Sequence, residues 1–212
     1  MTTLQEQLNR KYPTKEDREN IKDINSNEIG SGSERGELDL SEYKGLEKLI
    51  LPGNKIISVN FSGCKELTIV NLVENDLTSV DFLNTIPNPE KLESLSIFDN
   101  NIQPTDISFF SKFINLKYLK IGTRKPSLEK GKHNQFYGSL KSYQNLTKLE
   151  DICIEATDVN EGLEYLPESL AKAIKKNING NYSSIECSPH DTNAKCSQIQ
   201  DQLRPFNYDL EA

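Results

Sequence analysis

Three stretches that copy one another decide the fold: LEKLILPGNKI at 46–56, LTIVNLVENDL at 67–77 and LESLSIFDNNI at 92–102. Each places apolar residues and one asparagine at the same offsets: Leu46, Leu49, Leu51, Asn54, Ile56; Leu67, Val70, Leu72, Asn75, Leu77; Leu92, Leu95, Ile97, Asn100, Ile102. The starts are 21 residues apart (46 to 67) and then 25 (67 to 92). The alternation x-L-x-L-x inside each stretch predicts a short strand with two inward side chains and outward neighbours on either side. A unit this small has no second surface on which to bury its leucines, so it has to stack on copies of itself.

The pattern L-x-x-L-x-L-x-x-N-x-L resembles the leucine-rich repeat family. The resemblance implies an α/β fold: a right-handed solenoid with a curved parallel β-sheet on its concave side and short helical or 3-10 segments on its convex side. It also implies a ladder in which Asn54, Asn75 and Asn100 turn inward to bond the backbone of neighbouring turns. The likeness covers about residues 38–174, about six repeats, and is closer to intracellular members with short convex segments than to strongly helical horseshoes.

Before the repeats, residues 1–29 read as helix, turn, helix. Thr3 to Glu6 fits a capping box, and Leu4, Leu8 and Tyr12 share a helical face. Pro13 ends that run, and Thr14 with Asp17 starts a second helix whose apolar side includes Ile21 and Ile24. We expect this segment to cap the open edge of the first repeat. The Gly- and Ser-rich stretch 30–37 reads as a flexible connector. It lacks the Lys-Ser/Thr of a phosphate loop. Leu38 and Leu40 then read as the first strand of the sheet.

Beyond Ile102 the pattern loosens. Leu116, Leu119 and Ile121 open another repeat, but Arg124 stands where asparagine is due, so we expect an irregular turn and a broken ladder there. Residues 125–135 form an insertion loop. Leu149, Ile152 and Ile154 follow, with Thr157 in the asparagine slot. Phe82, Ile86, Phe109, Phe113 and Leu140 fall between strands and are expected to form a convex spine on short or 3-10 segments. Residues 162–167 resemble a last repeat, and 175–212 read as a C-terminal cap or tail with a short helix before Pro205.

Composition narrows the function. Hydrophobic residues make up 35%, below the roughly 45–50% of ordinary globular chains, as suits a thin, elongated core. A net charge of −7 argues against general nucleic-acid binding. There is no signal-peptide pattern and no apolar run long enough to span a membrane. The four cysteines are irregularly spaced and read as reduced thiols in a cytoplasmic setting. The triplets at Asn60, Asn145 and Asn181 therefore read as idle matches to a glycosylation site. His133 and His190 lie in no catalytic motif. Cys187, His190, Asp191 and Cys196 lack paired zinc spacing, so we expect no metal, no cofactor and no enzyme.

The outward strand positions remain. The central row is Asp39, Ile50, Asn71, Ser96, Lys120 and Cys153; rows beside it carry Val73, Phe98, Ile69 and Tyr118. Ile50, Ile69, Val73, Phe98 and Tyr118 are expected to form a solvent-facing apolar patch with Lys120 at its edge. Such a patch marks an interface. The expected function is a scaffold holding a protein or peptide partner on the concave face. The alternatives are a self-associating homodimeric module or a regulatory segment of a signalling protein. The bland readings are that strand propensity alone enriches these residues, or that the N-terminal segment or the long loop folds back over them.

Overall fold

The computed structural model describes residues 3–32, 34–165, 168, 170, 185 and 186. The tail cluster of cysteines and histidine, Asn181 and the helix expected before Pro205 lie outside them. The expected strand pattern is present. A seven-stranded sheet, parallel at every pairing, runs in the order β1 (Asp23–Asn25), β3 (Lys48–Ile50), β5 (Ile69–Asn71), β6 (Ser94–Ser96), β8 (Tyr118–Lys120), β10 (Asp151–Cys153) and β12 (Ile185–Glu186). Ile24, Leu49, Val70, Leu95, Leu119 and Ile152 stand in register along it, and each is fully buried. Each such side chain contributes about 1.5–3 kcal/mol on burial, and the line they form is the centre of the core.

The sheet therefore begins at Asp23, inside the segment read as a cap, and not at Leu38. Helix α1 (Leu4–Lys11) has the expected capping box, and Leu4, Leu8 and Tyr12 are buried. Helix α2 (Lys15–Asn20) stops before Ile21; it has no buried residue, so no apolar face carries it further. Ile24 enters β1 instead. After a single turn, α3 (Ser26–Ile29), Leu38 falls in β2 (Gly36–Asp39), which pairs with β4 (Ile56–Asn60) in a separate two-stranded sheet. The side-chain oxygen of Gln5, on α1, accepts the Asp39 N–H at 2.7 Å, at the edge of β2 away from β4.

A second repeated motif explains that misplacement. The side-chain oxygens of Asp39, Asn60, Ser79, Asp106 and Ser139 each accept the N–H of the residue two positions on. The residue between, Leu40, Phe61, Val80, Ile107 or Leu140, is buried, as is the one four positions on: Tyr43, Cys64, Leu83, Phe110 or Tyr143. These Asx- and ST-turns close the convex strands β2, β4, β7 (Thr105–Asp106) and β9 (Phe136–Ser139); β7 and β9 pair with β11 (Asp158–Glu161) in the order β11-β9-β7. Most of them lead into 3-10 segments such as Asp81–Thr85, Ile107–Lys112 and Leu140–Tyr143. Phe82, Ile86, Phe113 and Leu140 of the expected spine are buried, whereas Phe109 is half-buried and its neighbour Phe110 takes the inner position.

The asparagine ladder is present and longer than expected. Asn54, Asn75 and Asn100 are buried. The Asn75 carbonyl accepts from Asn54 N and Ile56 N at 3.0 and 2.9 Å, and its amide donates to Leu51 O at 2.9 Å. Asn100 accepts from Leu77 N and donates to Leu72 O and Ile97 O. The ladder does not fail at Arg124. Asn134, fully buried, accepts from Ile102 N at 3.1 Å and donates to Ile97 O and Ile121 O at 2.9 and 3.0 Å. The insertion is looped out between Ile121 and this asparagine, after which Asn134-x-Phe136 completes the repeat. At the near end Asn54 accepts from Gly32 N, so the glycine of the expected connector is held. At the far end Thr157 Oγ1 donates to Ile154 O at 2.7 Å, as its place in the slot predicts.

Asn134→Ala is expected to cost roughly 2–4 kcal/mol, because it orphans several buried backbone groups. Asn75→Ala should cost a similar amount. Urea denaturation measures both; a loss for Asn134→Ala of only about 0.5 kcal/mol, the surface level, contradicts its place in the ladder.

Candidate partner-binding face

Side chains of β1, β3, β5, β6, β8 and β10 that point away from the core form the outer face of the main sheet. The register lines up Asp23, Lys48, Ile69, Ser94, Tyr118 and Asp151 in one row and Asn25, Ile50, Asn71, Ser96, Lys120 and Cys153 in the next. Asn25 thus takes the place expected of Asp39. Ile50 is 37% exposed and Tyr118 43%, while Ile69 and Val73 are half-buried. Ile50 and Ile69 are diagonal neighbours on adjacent strands. Tyr118 is separated from Ile69 by Ser94, two strand spacings or about 10 Å, so the apolar surface is two patches.

Phe98 does not face solvent. It is 7% exposed, and the guanidinium of Arg124 lies over its ring, 5.5 Å from carbon to centroid. Strand parity points Phe98 outward as expected, but the insertion covers it. Tyr118 Oη donates weakly to Glu150 at 3.4 Å, and Lys120 Nζ pairs with Asp151 at 3.4 Å.

Arg124 has a larger role than a ladder defect. Its Nε donates to Asp99 Oδ2 at 2.6 Å, its backbone N–H to Asp99 Oδ1 at 2.8 Å, and its Nη2 to Glu74 Oε1. The Asp99 side chain has no exposed surface. Glu74 and Asp99 each immediately precede a ladder asparagine and adopt positive φ, 57° and 56°, as do Gly53 and Ala156 at the equivalent position. The left-handed turn costs a non-glycine residue roughly 1–2 kcal/mol, and here it swings both carboxylates towards one guanidinium. The insertion also carries a one-turn helix, α4 (Lys125–Glu129). It then returns with Lys132 Nζ donating to Asn75 O and Asp76 at 2.9 and 2.8 Å, and with His133 Nε2 2.7 Å from Ala156 O.

Where the insertion leans over the sheet, a crevice of about 520 Å³ is formed. Val73, Ser96 and Phe98 line its sheet side, Arg124, Lys125 and Pro126 the insertion side, and Lys120 and Glu155 complete it. Expected site residues Val73, Phe98 and Lys120 thus meet here; Ile50, Ile69 and Tyr118 do not. Lys125 and Pro126 were not legible as site residues, since the insertion shows no periodicity; Glu155 lies two positions after Cys153, on the outward row of Val73 and Phe98. Among the described residues no group of three His, Cys, Asp or Glu side chains is placed to hold a metal, and no helix is long and apolar enough to cross a membrane. Cys64 donates its thiol to Leu40 O at 3.3 Å, and burial pushes its pKa up to about 12.

No family model matches the chain, and no curated protein matches it. Among solved structures it is similar to internalin C2 from Listeria monocytogenes, with a TM-score of 0.50 and 21% identity over 87% of this chain and 80% of that one. The chain has the leucine-rich repeat fold. Weaker likenesses are to the plant peptide hormone receptor RGFR1 in complex with RGF2 (TM-score 0.46, 24% identity, 72% of this chain and 24% of that one) and to a leucine-rich repeat protein of Leptospira interrogans (TM-score 0.42, 15% identity, 71% and 32%). In this leucine-rich repeat the ladder supplies the frame, and the insertion at Arg124 supplies the departure from regularity.

Arg124→Met strands the buried Asp99 carboxylate and is expected to cost about 2 kcal/mol. Asp99→Asn should recover part of that loss in the double variant, because an amide needs no counter-charge and still accepts the backbone N–H of residue 124. A double-mutant cycle by chemical denaturation is expected to show coupling of about 1 kcal/mol or more. Additive losses refute the coupling.

Proposed function

We propose that this chain is a non-catalytic interaction module that holds a protein or peptide partner on the outer, concave face of its seven-stranded sheet. The observation that carries the reading is the exposure of Ile50 and Tyr118 on strands whose inner sides are fully buried. Large apolar groups held at fixed spacing in water, with polar and charged residues around them, suit a partner's side chains better than they suit solvent. The repeat supports this physically. Neighbouring turns are tied by buried side-chain hydrogen bonds and by ion pairs such as Lys22–Glu47, Lys91–Glu66 and Lys117–Glu93, at 2.7 to 2.9 Å. Each exposed pair contributes only about 0–1 kcal/mol, but together they hold register across strands just three residues long. A face that is already ordered loses little entropy on binding.

The face is tested with Ile50→Asp combined with Tyr118→Asp. Both side chains are exposed, so the melting temperature is expected to move by no more than about 2 °C, the scale of a surface change. Proteins retained by the immobilised chain from its own cells are then compared between wild type and variant. Retention is expected to be lost in the variant; retention that survives the double charge introduction sinks the assignment to this face.

A further inference from the structure

The crevice beneath the insertion has a chemistry of its own. Its lining is mostly apolar, from Val73, the ring of Phe98 and Pro126. Between Phe98 and Glu155 the same outward row carries a glycine, at position 122. A β-carbon there would come within 2.5 Å of Glu155 N and 2.6 Å of Glu155 O, so close approach of the next turn excludes any side chain. The rim is basic. Arg124 is already matched by Asp99 and Glu74. Of the two ammonium groups, Lys120 pairs with Asp151 at 3.4 Å and Lys125 with Glu129 at 4.0 Å. Lys120 is 40% exposed and Lys125 66%, and pairs of that kind are worth little and are readily exchanged. Against them the crevice sets one carboxylate, Glu155. The chain as a whole carries −7, so an acidic segment needs a locally basic place, such as lysines beside an apolar notch. Charge of this pattern selects the place and the partner more than it adds affinity.

We propose that the crevice receives one bulky apolar side chain, aliphatic or aromatic, from an extended protein segment in which an adjacent carboxylate pairs with Lys120 and Lys125. The assignment rests on the reading of the outer sheet face as a protein-binding surface and names the chemistry of what binds there. The open shape suits a side chain entering from a strand laid across the face, since a free small molecule would remain largely in water.

Random dodecapeptides displayed on phage are selected on the purified chain, and the most enriched sequence is made as a fluorescent peptide and titrated by anisotropy. Enrichment of a bulky apolar residue next to Asp or Glu is expected. Lys120→Glu with Lys125→Glu should weaken that peptide at least tenfold, and Lys120→Met with Lys125→Met, which adds no repulsion towards Asp151, should weaken it severalfold; circular dichroism checks that both variants fold. Binding should also fall as salt is raised. Enriched peptides with no acidic bias, or an affinity unmoved by both lysine variants, overturn the proposal. If such peptides nonetheless lose binding to the Ile50→Asp, Tyr118→Asp chain, the face stands and only the crevice assignment falls. Failure to enrich any peptide overturns the proposal for linear segments, while retention of partners from cells separately tests the face.

Discussion

A chain that reverses direction several times per repeat carries many N–H and C=O groups through an interior without water, and the buried asparagine amide is what makes this tolerable. One acceptor and two donors on a short side chain match the groups that a tight turn orphans. Asn75 shows the arrangement in full: it accepts two backbone N–H groups of the preceding turn and donates to carbonyls of both turns. Each bond contributes only about 0.5–1.5 kcal/mol net, but an unmade one costs about 1–3 kcal/mol. The ladder therefore sets where each turn has to sit. An aspartate has no donor, an arginine has no acceptor, and Thr157, with a single hydroxyl, makes a single rung bond within its own turn.

That constraint also explains what the sequence made legible. Three stretches with leucines and asparagine in phase are enough to place β3, β5 and β6 and the residues behind them. Phase is lost where one half of the repeat imitates the other. Leu38-Asp39-Leu40 alternates as an inner strand does, yet it is a convex strand, and the signal that separates the two is the turn from Asp39 to Ser41. The true first strand was obscured because Ile24 is followed by a helical turn and the ladder position five residues on holds Ile29 rather than asparagine; the backbone N–H of Gly32 bonds Asn54 in its place. Asn134 was passed over because position counting expected it at Arg124. The pair Asn134 and Phe136 repeats the spacing of Asn100 and Ile102, displaced by the insertion.

Exposure is harder to read than direction. Alternation along a strand tells which side chains leave the core, and it placed Phe98 correctly on the outer side. It carries no information about what lies above. The group that covers Phe98 comes from Arg124, whose position depends on Asp99 and Glu74 having left-handed backbone in two successive repeats. A contact that needs three turns and an unpatterned loop to agree cannot be inferred from periodicity.

The same contacts take the molecule beyond a simple stack. In a regular solenoid each turn touches only its neighbours, and stability is a sum of nearest-neighbour terms. Here Arg124 reaches Glu74, and Lys132 reaches Asn75 O and Asp76, each skipping the turn between. The insertion is thus pinned at both of its ends to the repeats that carry Asn75 and Asn100, while His133 contacts the turn at Ala156. A brace of this kind couples turns that otherwise bend independently. The same bonds place the insertion over the sheet, so that the crevice has one wall from the sheet and one from the insertion. Irregularity in this chain is therefore placed where it raises a second wall above the sheet, and that turns an even row of strands into a crevice.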